Sequence, residues 1–184
     1  MLRGIRCQDG GGFGLRLSGA VPLFCICGPS AAGKTTFAAH LAEQLRARGR
    51  HPLLIACDDY YRSGWSPHSR YGFDTVDAIE ADLLRLQLSA VRYRQLDSLR
   101  SYDMRTRKVG VRLLNQSYDV VLVEGSYGPQ DLIQGFPFDG LIYLEESLLV
   151  RLVRRLSRDV RHRHRRLRRC RGGSRARRRR WSWA

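Results

Sequence analysis

The chain has 184 residues, 43% of them hydrophobic, enough to bury about 70% of its unfolded surface in one core without disulfide staples. No run approaches the roughly 20 apolar residues that a membrane-spanning helix needs, which excludes that class. The net charge of +16 sits at one end: residues 151–184 carry 16 arginines against one acid, Asp159, whereas residues 1–150 carry 17 basic and 16 acidic residues.

Residues 1–18 read as a loose extension in which Asp9 and the Gly10 to Gly12 cluster break any secretory leader. Residues 21–27 (VPLFCIC) form a short apolar run of β-favouring residues, as in a parallel strand buried on both faces. Residues 34–48 predict a helix: Phe37, Leu41 and Leu45 recur at helical spacing, alanines supply propensity and Gly49 stops it. Between strand and helix, Gly28-Pro29-Ser30-Ala31-Ala32-Gly33-Lys34-Thr35-Thr36 matches G-x-x-x-x-G-K-[ST] at every specified position. In that pattern the glycines let the backbone curl into a nest of N–H donors, the lysine spans the outer phosphates of a nucleoside triphosphate, and the hydroxyl holds Mg²⁺. Gly28, Ser30, Ala31, Ala32, Gly33, Lys34, Thr35 and Thr36 are therefore the candidate nucleotide-binding residues, on a helix N-terminus whose dipole favours anions.

Residues 52–57 (PLLIAC) predict a second strand ending in Asp58-Asp59-Tyr60-Tyr61. Carboxylates at the C-terminal edge of a parallel strand lie in the crevice where open α/β sheets bind ligands. Asp58 or Asp59 there can take the proton of an attacking hydroxyl, although two aspartates also cap turns. Residues 74–91 carry Ile79, Leu83, Leu86 and Leu88 on a plausible helix, and residues 91–113 form a small substrate-facing excursion. Residues 119–123 (DVVLV) predict a third strand that delivers Glu124 to the metal, held through water. A fourth strand follows at residues 140–144 (GLIYL). The alternation gives an α/β class: a P-loop NTPase-type parallel sheet with helices on both faces. Of the five cysteines, Cys7, Cys25, Cys27, Cys57 and Cys170, three lie in or beside predicted strands, and none shows metal spacing. They read as reduced core thiols of a cytoplasmic protein.

Residues 151–158 predict a basic helix with Leu152, Val153 and Leu156 packed inward. Residues 161–180 would repel one another, stay disordered and adhere to polyanions, the feature a nucleic-acid-binding NTPase would use. Interleaved aromatics are missing, since Trp181 and Trp183 come only at the extreme end. The apolar periodicity of a last helix and strand is missing too, so the C-terminal part of the fold is expected to be incomplete. The abrupt change to Arg, Gly and Trp is what a frameshift or truncation in GC-rich coding DNA would produce.

The phosphate loop, the Asp58-Asp59-Tyr60-Tyr61 tetrad, Phe73-Asp74, Tyr102-Asp103, the strand Val120-Val121-Leu122-Val123-Glu124-Gly125 and the run Arg154-Arg155-Leu156-Ser157-Arg158-Asp159 occur in this order. Over residues 21–165 the chain resembles the uridine kinase branch of the uridine kinase and phosphoribulokinase superfamily. The resemblance implies an ATP-dependent kinase domain over residues 19–165, acting on the 5′-hydroxyl of a nucleoside such as uridine or cytidine. It implies Asp58 as the base; Tyr61, Asp74, Tyr102 and Arg107 around the nucleoside; Lys34, Thr35 and Glu124 on ATP and Mg²⁺; and Arg155 and Arg158, with Arg163 and Arg165, as a lid. Homo-oligomers fit the resemblance, and membrane or nucleic-acid partners do not, apart from the arginine tail. The chain departs from the family at Thr75 and Val76, where a His-Pro pair is usual, at Arg107, where a histidine would meet the base, and at His164, where a glycine stands. A guanidinium only donates hydrogen bonds and cannot replace an imidazole against a base edge. Nicotinamide riboside or another small alcohol is the alternative acceptor.

Overall fold

Leu23–Cys27 (β2) is the strand on which the rest is hung, and it sits in the middle of a five-stranded sheet. A computed structural model describes residues 5–8, 19–66, 75–115, 117–126 and 132–157. The other strands of this sheet are Ile5–Gln8 (β1), Pro52–Ala56 (β3), Val120–Glu124 (β6) and Gly140–Leu144 (β7). β2 pairs in parallel with β6 on one side and β7 on the other, and β3 extends the sheet in parallel beyond β6. The helix Lys34–Arg46 (α1) connects β2 to β3 across the slot that β6 fills. Strand order thus reverses about β2, which puts a ligand crevice at its carboxyl end.

Both faces of the sheet are covered, for a reason visible in the alternation of its strands. Leu23, Ile55, Val121 and Val123 face one way, into a cluster with Leu84, Leu88 and Val91 of the helix Ala81–Arg92 (α2). Ile26, Val120 and Leu122 face the other way, against Ala38 and Ala42 of α1. Small alanines on α1 let its backbone approach the sheet closely, and the larger α2 leucines fill the deeper side. The parallel sheet with helices on both faces is the architecture the sequence predicts.

Several elements depart from the expectation: the helix expected over residues 74–91 begins only at Ala81, after a 3₁₀ turn at Val76–Ala78. Ile5–Gln8, within the stretch read as a loose extension, is a strand antiparallel to β7 with Ile5 opposite Leu144. Four residues are too few for a periodicity to stand out, and pairing with an existing edge stabilises them. The excursion after α2 is a two-stranded antiparallel hairpin, Ser98–Asp103 (β4) and Lys108–Leu113 (β5). Its turn is held by the Asp103 carboxylate, which accepts the N–H groups of Arg105 and Thr106 at 2.7 and 3.2 Å. Those bonds hold the Asp103 carboxyl below the usual carboxylate range.

The chain divides into two units, residues 1–146 and 147–184. In the second, residues 148–157 form a helix (α3) capped by Ser147, whose hydroxyl accepts the Val150 N–H at 3.4 Å. Leu152, Val153 and Leu156, expected to pack inward, are exposed on it. The arginine tail from residue 158 onward lies outside the described residues.

Candidate active site

At the carboxyl end of β2 the backbone turns at Gly28, whose φ is +144°. A Cβ there would stand 2.2 Å from the Leu144 carbonyl oxygen, so no other residue fits the turn. Gly33, at φ +92°, is the N-cap of α1 and offers no side chain to the first turn. A helix start without a side-chain cap is the arrangement that leaves backbone N–H donors for a phosphate. Ala31 also takes a left-handed conformation, φ +64°, uncommon for a residue with a Cβ and concentrated at functional loops. Lys34 is 7% exposed and its ammonium donates to the Pro29 carbonyl at 3.0 Å, folded over the loop it follows.

Thr35, exposed on the first turn of α1, donates its hydroxyl to Glu124 Oε1 at 3.1 Å. This bond joins the loop to the end of β6 and brings together the two residues expected to hold a metal. A hydroxyl and a carboxylate are hard oxygen donors, the set that suits Mg²⁺ when phosphates and waters complete the shell. Among the described residues no group of three or more His, Cys, Asp or Glu forms a metal cage. Burial raises the Glu124 carboxyl above its usual range and the nearby Asp58 charge adds to this; the Thr35 hydroxyl and Lys34 pull it back.

Asp58 and Asp59 lie on a 3₁₀ turn, Cys57–Tyr60, directly after β3. Their side chains differ. The Asp59 Oδ1 accepts the Tyr102 N–H at 3.1 Å, tying the turn to β4. Asp58 is exposed and acts electrostatically on both Glu124 and Cys57. Tyr61 follows, with its ring centroid 5.7 Å from that of Tyr102. Cys57 is buried beneath, where burial and the Asp58 and Glu124 charges push its thiol well above the ordinary value. Its sulfur leaves no room just after β6: a Cβ at Gly125 would come within 2.6 Å of it. Cys25 and Cys27 are likewise buried, and neither forms a disulfide among the described residues.

Two groups of the expected site residues are thus each assembled. Lys34, Thr35, Glu124 and Asp58 make one, and Tyr61 and Tyr102 the other. Arg107 stands at the last position of the hairpin turn with φ +57°, exposed. Arg155 lies exposed on α3, in the second unit. Asp74, Arg158, Arg163 and Arg165 lie outside the described residues. Three residues that the sequence did not single out, Glu80, Gln87 and Arg100, hold the Asp58 turn from α2 and β4. Nothing local marks them, because each reaches a partner at least 13 residues away.

The model of the phosphoribulokinase / uridine kinase family matches residues 23–181. The chain belongs to this family. The match runs beyond residue 165, where the motif resemblance ends. A uridine kinase of Halobacterium salinarum is 30% identical over 154 residues, covering 80% of this chain and 67% of that protein. A uridine-cytidine kinase A of Dictyostelium discoideum is 31% identical over 153 residues, covering 77% of this chain and 29% of its own. Among solved structures, one described as a possible uridine kinase from Bacillus stearothermophilus shares the fold, with a TM-score of 0.60 at 21% identity over 76% of this chain and 79% of that one. No helix among the described residues is long and apolar enough to cross a membrane.

Proposed function

We propose that this protein is a cytoplasmic, ATP- and Mg²⁺-dependent kinase that phosphorylates the 5′-hydroxyl of a nucleoside, uridine or cytidine in the first place. One observation carries the reading. The Asp58 carboxylate stands electrostatically beside the Thr35–Glu124 pair, at the crevice where strand order reverses, with the Tyr61 and Tyr102 rings adjoining through the same turn. Uridine and uridine-cytidine kinases among the relatives support the acceptor class.

In this reading the backbone donors of the loop and the Lys34 ammonium hold the β- and γ-phosphates. Thr35 and Glu124 hold the metal, which when bound neutralises charge on the phosphate oxygens. Asp58 accepts the proton of the acceptor hydroxyl as its oxygen bonds to the γ-phosphorus, and ADP departs with the electron pair of the broken P–O bond. This reading takes Asp58 as the base over Asp59, since one oxygen of the Asp59 carboxylate already accepts the Tyr102 N–H. Tyr61 and Tyr102 flank the acceptor, and Asp74 is assigned to it by resemblance. Arg107 at the hairpin turn favours a second acceptor within the same reading, nicotinamide riboside or another small alcohol, since its guanidinium offers donors only.

The deciding measurement is ADP release by the full chain with MgATP and, in turn, uridine, cytidine, nicotinamide riboside and no acceptor. Stimulation by the pyrimidine ribosides is expected. Stimulation by nicotinamide riboside alone moves the acceptor, and stimulation by none of them overturns the class.

A further inference from the structure

The Asp58-Asp59-Tyr60-Tyr61 turn is short and exposes only Asp58, and three successive carbonyls of it are gripped from other elements. The Arg100 guanidinium on β4 donates through Nε to the Asp59 carbonyl at 3.2 Å and through a terminal nitrogen to the Tyr61 carbonyl at 2.5 Å. Between them the Tyr60 carbonyl accepts the Glu80 N–H at 2.8 Å. Glu80 closes the set, its Oε1 lying 2.9 Å from the Arg100 guanidinium, whose side chain is only 11% exposed. Gln87 on α2 adds a second tie, since its Oε1 accepts both the Tyr60 hydroxyl at 2.7 Å and the Arg100 N–H at 3.3 Å.

We propose that Arg100, oriented by Glu80, is the positioning residue that fixes the turn carrying Asp58 and so sets where the base and the Tyr61–Tyr102 acceptor wall stand. This rests on the kinase reading given above. The physical argument is geometric. A 3₁₀ turn has few internal hydrogen bonds, and a planar guanidinium can span two carbonyls at fixed separation while its charge is balanced by one carboxylate. A lysine is a single point charge on a flexible stem and can serve one of those carbonyls at a time. Arg100 also belongs to β4, the strand that contributes Tyr102, so one side chain couples the base to the acceptor wall. A misplacement of about 1 Å in such a site costs on the order of a hundredfold in rate.

The test uses the full-length protein and the variants Arg100→Gln, Arg100→Lys and Glu80→Gln. Arg100→Gln is expected to lower kcat for nucleoside phosphorylation by about 10- to 100-fold while leaving KM for ATP within about twofold, because Lys34, Thr35 and Glu124 are untouched. Arg100→Lys should recover part of that loss and Glu80→Gln should show a smaller one, a graded pattern that general loss of packing does not give. Amide hydrogen exchange read alongside should rise at residues 57–61 in Arg100→Gln and stay unchanged in α1. Exchange is measurable without turnover, so it separates the two readings. If wild type phosphorylates no nucleoside yet exchange at residues 57–61 rises in the variant, the kinase reading falls and the clamp stands. Unchanged kcat, or unchanged exchange at residues 57–61, overturns the clamp.

Discussion

The two ends of the parallel sheet treat their acidic residues in opposite ways. At the amino ends of the strands, Asp139 accepts the Leu23 N–H at 2.8 Å and pairs with Arg92 at 3.1 Å, and Asp119 accepts the His51 N–H at 2.8 Å and pairs with Arg50 at 2.7 Å. At the carboxyl ends, Glu124 is half-buried beside another negative charge, Asp58, and its carboxyl is pushed up. At the amino ends both of these aspartates meet fixed donors and hold strands together. The carboxyl ends gather like charges, left-handed backbone at Ala31 and a buried lysine, costs that a cation and phosphates would relieve. The difference separates architecture from chemistry along the same strands, and substitutions at the two ends should fail in different assays.

The largest effect belongs to the carboxyl end. Asp58→Ala should lower nucleoside turnover by about 10²- to 10⁴-fold, the usual contribution of a positioned base, while nucleotide binding measured by titration stays near wild type. Loss of nucleotide binding instead would make Asp58 part of the metal site. Next is Lys34→Ala, expected to lower turnover by about 10²- to 10³-fold, in line with loss of one preorganised group on developing charge. Its thermal midpoint should change little, because Lys34 sits on the phosphate loop and belongs to neither apolar cluster of the core. A drop in the midpoint would break the proposed contrast.

At the amino end, Asp139→Ala should leave turnover unchanged and destabilise the fold by about 1–3 kcal/mol in denaturant unfolding. The variant strips the Leu23 N–H of its side-chain acceptor and leaves the Arg92 guanidinium, whose Nε is already without a partner, short of its counter-charge.

The same division explains what the sequence discloses. β2, the phosphate loop, α1, β6 and β7 are contiguous runs whose period or motif is complete within a few residues, and their bounds move by at most two residues between expectation and structure. The hairpin is less legible because its turn uses Asp103 with an arginine in a left-handed conformation, where Asn-Gly would have announced it. The difference between Asp58 and Asp59 is invisible in one dimension, since Asp59 meets the Tyr102 N–H from 43 residues away. Arg100 is invisible for the same reason.

The smallest expected effect is also the one that tests the contrast on a single strand, because Asp119 immediately precedes β6 and Glu124 ends it. Burial pushes the Asp119 carboxyl up, but the His51 N–H and Arg50 outweigh it and hold the group below its usual range. A carboxyl lowered in the folded state contributes stability above its unfolded pKa, near 3.9, and loses it as pH falls through the folded value. Asp119→Asn should therefore cost at most about 1 kcal/mol at neutral pH, given how exposed the pair is. That cost should shrink in acid and in high salt. Glu124 has the opposite sign. Its carboxyl is raised, so the folded state binds its proton more tightly, and stability declines as pH rises from the ordinary value near 4.5 toward the raised one. Glu124→Gln should remove that decline in metal-free protein, making the variant no less stable than wild type at neutral pH. Unfolding curves at several pH values read both slopes, and slopes of the same sign would erase the distinction between the two ends of the sheet.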